Sequence, residues 1–266
     1  MRNRLLVSLT FDDALDVHLD TALPLLDKYQ TQGTFYVNLN APAFVRRLHE
    51  WQAASTRGHE LGNHTIFHPA VASKPYISEG NALENYTLDR MRIELATANQ
   101  FLSAIDGKQE RTYAYTCCNS VLGRPGLVKR FLFRYGLDRT RIAGWMYRWP
   151  ALDFLSHEQN YSGLVSDLFV AARGGENPAG ADRITSADRN FVPCVSADGK
   201  SADELLATVD TFARHGNWLI FMFHGIGGGH RLSCEPDALE RLLDRLTKDP
   251  GIKVTTFIDA AGTILY

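Results

Sequence analysis

The sequence predicts an α/β fold in which seven parallel strands alternate with helices and close into a barrel. Short segments rich in apolar, β-branched and aromatic residues alternate with segments of helical periodicity. The chain has 266 residues, a length that suits one α/β barrel better than two domains. No linker, internal repeat or low-complexity segment divides it, so we expect a single domain over residues 1–266.

Seven segments are typical of strands, because apolar and β-branched residues fill them and turn residues bound them. The sixth reads NWLIFMFH and is almost continuously apolar, as expected of a strand buried on both faces. The stretch between residues 174 and 201 is rich in Gly, Asn, Pro and Asp, which indicates long loops. The predicted strands cover residues 4–11, 33–38, 59–63, 111–116, 168–173, 217–224 and 252–257.

Segments with a helical spacing of apolar residues separate these strands. Pro24 falls inside the first predicted helix and is expected to kink it. Residues 137–167 show no clean period. The predicted helices cover residues 19–30, 42–57, 83–105, 125–135, 202–215 and 236–248, and a last helix follows residue 257.

Composition argues against several classes of protein. A formal net charge of −2 provides no overall positive field for nucleic acid. No apolar stretch approaches the ~20 residues of a membrane span. The N-terminal apolar run is too short for a signal peptide, which favours a cytoplasmic protein, with a secreted or periplasmic protein whose signal was removed as the alternative. The four cysteines form no C-x-x-C pair and are interpreted as free thiols in a reducing compartment.

Polar side chains follow several predicted strands at the point where each strand ends. In parallel α/β folds the carboxyl ends of the strands line the active site, so we expect these side chains to meet at one rim of the barrel. They are Asp12 and Asp13 after the first strand, His64 and His68 after the third, Cys117 after the fourth, Arg173 at the end of the fifth and His224 at the end of the sixth.

Asp13, His64 and His68 suit a borderline-soft divalent metal ion. Two imidazoles four residues apart and one distant carboxylate provide three protein ligands and leave a position open for water. The alternative is an accidental pair of surface histidines. Asp12 precedes Asp13, and because side chains alternate along a strand, it is placed to act as a base towards that water. Its alternative role is a helix cap or a turn.

His224 ends the most apolar strand of the chain. Beside a metal site we interpret it as a general acid for the leaving group, and the alternative is a core histidine bonded to the backbone. The glycine-rich run at residues 225–229 lacks the Gly-Lys-Ser/Thr signature of a phosphate-binding loop. We therefore interpret that run as an open rim of the site.

These motifs resemble those of the polysaccharide deacetylases of carbohydrate esterase family 4, the NodB-homology family. The T-F-D-D motif stands at residues 10–13, H-[S/T]-x-x-H at residues 64–68, and the apolar strand ending in histidine at residues 219–224. Their order and spacing agree with the family, and the resemblance spans essentially the whole chain. It implies a distorted (β/α)7 barrel that hydrolyses an N- or O-acetyl group on a carbohydrate.

The resemblance also implies a role for each motif residue. Asp12 is the general base and His224 the general acid. Asp13, His64 and His68 are the ligands of a zinc ion, with cobalt and nickel as alternatives. The implied partner is an acetylated carbohydrate, and nothing in the sequence indicates the oligomeric state.

The third motif of the family, R-x-P-[Y/F]-G, is where this sequence departs. Residues 114–118 read AYTCC and lack the Arg, the Pro and the Gly. The backbone amide of Cys117 remains the candidate donor to the oxyanion, because an amide does not depend on the side chain. Arg173 is the candidate replacement for the missing Arg, with a surface ion pair as the alternative. Trp145 and Trp149 are candidates for the family's tryptophan, either for packing or for stacking on sugar rings.

Two other functions stay open from the sequence. One is hydrolysis of a non-sugar amide by the same site on the same fold. The other is a non-catalytic carbohydrate-binding barrel, which only the loss of the third-motif Arg supports. Residues 137–167 and 174–201 are expected to shape the sugar subsites.

Overall fold

A computed structural model of the chain describes residues 4–135, 137, 155–176 and 184–266. Within them, a main sheet of parallel strands closes on itself, and two short strand pairs lie outside it. The strands are β1 Leu5–Asp12, β2 Thr34–Val37, β3 Glu60–Asn63, β4 Thr112–Ala114, β5 Val121–Leu122, β6 Gln159–Asn160, β7 Ala171–Glu176, β8 Val192–Ser196, β9 Trp218–Phe223, β10 Gly225–Ile226, β11 Ser233–Cys234 and β12 Ile252–Val254.

Seven of these strands form the barrel. They follow one another in the order β1, β2, β3, β4, β7, β8 and β9, and β9 pairs with β1 to close the ring. All of these pairings are parallel. The predicted distorted (β/α)7 barrel is confirmed.

One of the seven barrel strands has no counterpart among the predicted strands. β8 lies in the stretch at residues 174–201, so the loop interpretation is wrong there. Pro193 and the surrounding turn residues give this five-residue segment a low strand propensity. Pairing with β7 and β9 stabilises the strand more than its own propensity does. The predicted last strand exists as β12, but it pairs with residues 5–7 of β1, at the far end from Asp12, and does not belong to the ring.

The strand that carries Arg173 also has different bounds. β7 begins at Ala171 and continues to Glu176, so Arg173 lies inside the strand and not at its end. The preceding residues, Ser162–Leu168, form a helix. Arg173 was predicted at the rim of the barrel, and it lies instead within a strand of the barrel wall.

Helices alternate with the strands and cover the outside of the barrel. The first predicted helix is divided, because a π-helical turn at His18–Ala22 precedes an α-helix that has Pro24 in its first turn. The α-helices are α1 Leu23–Lys28, α2 Pro42–Arg46, α3 Leu48–Thr56, α4 Leu88–Asp106, α5 Leu127–Arg134, α6 Ser162–Leu168, α7 Ala202–His215, α8 Pro236–Lys248 and α9 Phe257–Ile264, and single 3₁₀ turns occupy Glu79–Asn81, Leu83–Asn85, Thr116–Cys118 and Ser186–Asp188.

Alternate side chains of β1 belong to two different cores. Leu9 and Phe11 are fully buried in the apolar layer between the sheet and the helices. Ser8 and Thr10 face the barrel interior, where the hydroxyl of Thr10 donates to the carbonyl of Phe221 at 2.7 Å. Because side chains alternate along a strand, this row continues to Asp12 and directs its carboxylate into the mouth of the barrel.

Three further observations bear on the sequence predictions. No helix in the described part of the chain is long and apolar enough to cross a membrane. All four cysteines are free thiols. Trp145 and Trp149 lie outside the described residues, as do parts of the two segments expected to shape sugar subsites.

Candidate active site

Asp12 and Arg173 form a buried ion pair inside the mouth of the barrel. Asp12 is the last residue of β1, and Arg173 lies on β7 in register with Ala114 of β4. The Arg173 guanidinium donates a hydrogen bond to Oδ2 of Asp12 and lies 5.2 Å from the centroid of the Tyr36 ring. Arg173 is 1% exposed and Asp12 is 3% exposed, which excludes a surface ion pair.

The charges of this pair depend on each other. Burial alone would raise the pKa of Asp12, but the guanidinium of Arg173 and the imidazole of His64 outweigh it and hold that pKa below its usual value. Burial alone would lower the pKa of Arg173, and the carboxylate of Asp12 reverses that effect. Asp12 is therefore an ionised carboxylate at neutral pH, and its Oδ1 has no hydrogen-bond partner among the described residues.

Asp13, His64 and His68 converge beside this pair. Oδ1 of Asp13 lies 3.2 Å from Nε2 of His68 and 3.6 Å from Nε2 of His64, and one ligand atom from each residue falls within 4.8 Å of the others. Asp13, Thr65 and His68 all have positive φ values, of 79°, 69° and 50°. Residues without glycine's freedom adopt that conformation at a cost, which is common where a site imposes the geometry.

The donor set and its surroundings fit a divalent cation. Nδ1 of His64 donates to the carbonyl of Ala114 at 2.8 Å, which leaves the lone pair of Nε2 directed at Asp13. Burial lowers the pKa of His64 to about 4, against the opposing charge of Asp12, so the imidazole is neutral, as a ligand must be. Oδ1 of Asp13 is buried and accepts no hydrogen bond of good geometry from the described residues. A cation would satisfy it.

Glu94, on α4, fixes the segment that joins the two histidines. Its Oε1 accepts the backbone N–H groups of Ile66 and Phe67 at 3.1 and 3.0 Å, and its Oε2 accepts the hydroxyl of Tyr86 at 2.8 Å. The side chain is buried. Glu94 therefore holds the backbone on which His64 and His68 are carried, although no sequence motif identifies it.

We expect Glu94→Ala to weaken zinc binding by about 10- to 100-fold, because loss of a side chain that orients metal ligands has effects of this size. Glu94→Gln keeps an acceptor oxygen and is expected to lose less. Competition with a chromophoric chelator measures the affinity. Glu84→Ala is the matched control, since Glu84 accepts the backbone N–H of Ala72 in the following loop. An equal loss in both alanine variants would contradict a positioning role for Glu94.

His224 follows β9 and is paired with Asp198, which follows β8. Nδ1 of His224 lies 2.6 Å from Oδ2 of Asp198, and Oδ1 of Asp198 accepts the backbone N–H of His224 at 3.1 Å. Burial would lower the pKa of His224, but the hydrogen bond to Asp198 and the charge of Asp12 outweigh it and raise that pKa above its usual value. The ring of His230 stacks on His224 with centroids 5.1 Å apart. The raised pKa suits a group that must carry a proton near neutral pH.

We expect Asp198→Asn to move the alkaline limb of the pH–kcat/KM profile to lower pH. The mutation removes the negative charge that raises the pKa of His224, so the protonated form is lost at a lower pH, while Oδ1 can still accept the backbone N–H. Asp203→Asn is the control, because Asp203 is an exposed carboxylate paired with Arg241. An alkaline limb that stays in place would contradict the role of the Asp198 charge.

Cys117 lies at the rim, one turn beyond β4. The 3₁₀ turn Thr116–Cys118 is tied to the loop after His68 by the Thr116 hydroxyl, which donates to the carbonyl of Pro69 at 2.5 Å. Cys117 has a left-handed backbone, with φ 48° and ψ 29°, and its Sγ lies 3.1 Å from the hydroxyl of Tyr76. The turn is thus next to the histidine pair, and the oxyanion role of the Cys117 amide stays a prediction.

Comparison with known families agrees with this geometry. Residues 2–119 match the family model described as polysaccharide deacetylase, and that range includes Asp12, Asp13, His64 and His68. Over these residues the chain is similar to the polysaccharide deacetylases. The resemblance identified from the motifs is confirmed.

Among curated proteins, the chain is similar to the peptidoglycan-N-acetylmuramic acid deacetylase PdaA of Bacillus subtilis (strain 168). The two are 29% identical over 112 residues, which are 40% of this chain. The matched segment spans 36% of that protein's length, about a third. The residues of the predicted metal site lie within the range that matches the family model, residues 2–119.

Solved structures show that the fold similarity extends over nearly the whole chain. A peptidoglycan N-acetylglucosamine deacetylase catalytic domain from Eubacterium rectale matches 98% of this chain and 91% of its own, with 15% identity and a TM-score of 0.52. A family 4 pseudoenzyme from Bacillus anthracis matches 98% of this chain and 66% of its own, with 15% identity and a TM-score of 0.54. At these identities the similarity establishes the barrel.

Proposed function

We propose that this protein is a metal-dependent hydrolase that removes acetyl groups, N- or O-linked, from a carbohydrate. The observation that carries the proposal is the convergence of Asp13, His64 and His68 beside the buried Asp12–Arg173 pair. The polysaccharide deacetylase match and the similarity to a peptidoglycan deacetylase support the substrate class.

In the proposed mechanism, Asp13, His64 and His68 hold a divalent ion, which we propose is zinc, with cobalt and nickel as alternatives. Such an ion would act as a Lewis acid towards the acetyl carbonyl and would make a nearby water molecule more acidic. Asp12 accepts a proton from the attacking water through Oδ1, the oxygen that does not accept from Arg173. The guanidinium of Arg173 keeps Asp12 ionised and oriented until that transfer.

The leaving group needs a proton, and His224 is the proposed donor. Asp198 accepts from Nδ1, so Nε2 is the ring atom available to the departing amine or hydroxyl. The backbone amide of Cys117 is the proposed donor to the oxyanion of the tetrahedral intermediate.

An acetate-release assay tests the proposal. The full chain, loaded with zinc, is incubated with chitin oligomers, peptidoglycan, acetylated xylan and a set of small cyclic amides. We expect acetate from at least one acetylated glycan, loss of activity after treatment with a chelator, and recovery on addition of zinc. Ring opening of a cyclic amide releases no acetate, so those substrates are followed by loss of the amide itself, and turnover confined to them would instead identify a non-sugar amide hydrolase.

The remaining alternative is a non-catalytic carbohydrate-binding barrel. It is favoured by one specific observation, since the third-motif Arg is absent from residues 114–118. The Asp12–Arg173 pair weighs against it, because an arginine from β7 contacts the carboxylate of the predicted base. Zinc content after purification and acetate release separate the two: a protein that binds glycan but neither binds zinc nor releases acetate would be a binding protein.

A further inference from the structure

His18 is a fully buried histidine at the start of the π-helical turn that follows the Asp12–Asp13 segment. Its ring packs between aromatic side chains, with centroid distances of 5.6 Å to Phe11, 5.9 Å to Phe35 and 6.4 Å to Trp51. These contacts fix the plane of the imidazole. The ring is therefore held rigidly beneath the candidate active site.

Both ring nitrogens of His18 make hydrogen bonds, and together they define the tautomer. The backbone N–H of Leu15 donates to Nδ1 at 3.2 Å, so Nδ1 carries the lone pair. The proton must then be on Nε2, which donates to the backbone carbonyl of His224 at 2.7 Å. Burial also lowers the pKa of His18 to about 4, which keeps the ring neutral.

The two hydrogen bonds of His18 join the segments that follow β1 and β9, at a level where these two strands have stopped pairing. The parallel pairing of β1 with β9 ends at Phe11 opposite Phe223, immediately before Asp12 on one strand and His224 on the other. Beyond that pair, Asp12 still pairs with Tyr36 of β2, but the predicted base and the predicted acid are no longer joined to each other by strand pairing. His18 connects the two segments at this level, from Leu15 on one side to the carbonyl of His224 on the other.

We propose that His18 is a positioning residue that fixes the general acid relative to the base and the metal ligands. The proposal rests on the proposed hydrolase function. A proton donor must be held close to its productive geometry, and a displacement of about 1 Å is enough to cost about 100-fold in rate. A histidine of the core that only fills space would stabilise the fold without affecting the rate of the chemical step.

Two amide variants separate the two hydrogen bonds of His18. In His18→Asn the amide oxygen can replace Nδ1 as acceptor for Leu15, but nothing reaches the carbonyl of His224. In His18→Gln the amide nitrogen can replace Nε2 as donor to that carbonyl. His59→Asn is the matched control, because His59 is equally buried, accepts the N–H of Gly33 through Nδ1 at 3.1 Å and contacts Asp27 through Nε2 at 3.2 Å, near the other end of the barrel.

Steady-state kinetics of the zinc-loaded full chain, on the glycan with the highest turnover, provide the first measurement. We expect His18→Asn to lower kcat by about 10- to 100-fold, with KM and zinc affinity changed by less than about 3-fold. His18→Gln should recover a large part of that loss. His59→Asn should lower stability and leave kcat within about 2-fold. Equal losses of kcat in His18→Asn and His59→Asn would overturn the proposal.

Imidazole ¹⁵N NMR provides a second measurement that does not depend on any substrate. In the wild-type protein we expect His18 as the neutral Nε2–H tautomer with a slowly exchanging ring proton, and the Nδ1–H tautomer would overturn the proposal even if no variant folds. The ring signals of His224 should shift in His18→Asn and stay in place in His59→Asn. Absence of deacetylation by the wild type would instead contradict the proposed function, and these spectra would still test the link.

Discussion

Asp12→Asn is expected to lower the rate of acetate release by about 1,000-fold while zinc remains bound. General acid–base catalysis contributes about 10²- to 10⁴-fold, so a loss in that range, about 4 kcal/mol of transition-state stabilisation, is expected when the base is removed. The substitution preserves the size of the side chain, and the metal ligands Asp13, His64 and His68 are unchanged. The measurement is kcat on the best glycan, together with zinc content and affinity.

The control for this experiment must remove a carboxylate of the barrel that lies away from the chemistry. Glu60→Gln meets this requirement, because Glu60 is buried at the start of β3, where it accepts from the hydroxyl of Thr34 at 2.7 Å and the backbone N–H of Ile258 at 2.9 Å. We expect it to change stability and to leave kcat within about 3-fold. Normal turnover of Asp12→Asn would remove Asp12 from the role of base.

Arg173→Met is expected to lower the free energy of unfolding by about 3–5 kcal/mol and to abolish most of the activity. Removal of one partner of a buried ion pair leaves an uncompensated charge, which has a cost of this size. Without the guanidinium, burial raises the pKa of Asp12, and a protonated carboxyl cannot act as a base. Urea denaturation at neutral pH measures the first effect and acetate release the second.

A double variant shows whether the lower stability of Arg173→Met comes from the loss of its ion pair with Asp12. In Asp12→Asn/Arg173→Met both charges are absent, so the double variant should be more stable than Arg173→Met alone, although it remains inactive. If the two single losses simply add, the instability of Arg173→Met comes from its lost packing on Tyr36 and not from the unpaired Asp12. That result would contradict the role given to Arg173 here.

The residues of the predicted metal site could be selected from the sequence because they follow strands whose apolar pattern is clear. Asp12 and Asp13 end an apolar run, and His64 and His68 have a recognisable spacing directly after another. The structure brings the three predicted ligands together, with the predicted base Asp12 beside them. Their positions were predictable because local pattern and topology agree at this part of the chain.

The residues that support them were not predictable for specific physical reasons. Asp198 follows β8, a strand obscured by Pro193, so no strand end was expected there. Glu94 reaches the histidine segment from the middle of a long helix, through a contact that no local pattern reports. His18 lies one residue before the first predicted helix, at residues 19–30, and no pattern in the sequence selects it. The contact of Arg173 with Asp12 depends on closure of the barrel, which brings β7 opposite β1.

The origin of Arg173 in the barrel wall has a consequence for engineering this chain. Because the guanidinium reaches Asp12 from β7, the base does not depend on the turn at Thr116–Cys118, none of whose side chains makes a hydrogen bond to Asp12. Substitution of Cys117, whose thiol is exposed at the rim, is therefore expected to leave the Asp12–Arg173 ion pair in place. The rim turn and the partner of the predicted base thus come from separate strands of the barrel, and side chains of the turn can be exchanged without removing that partner.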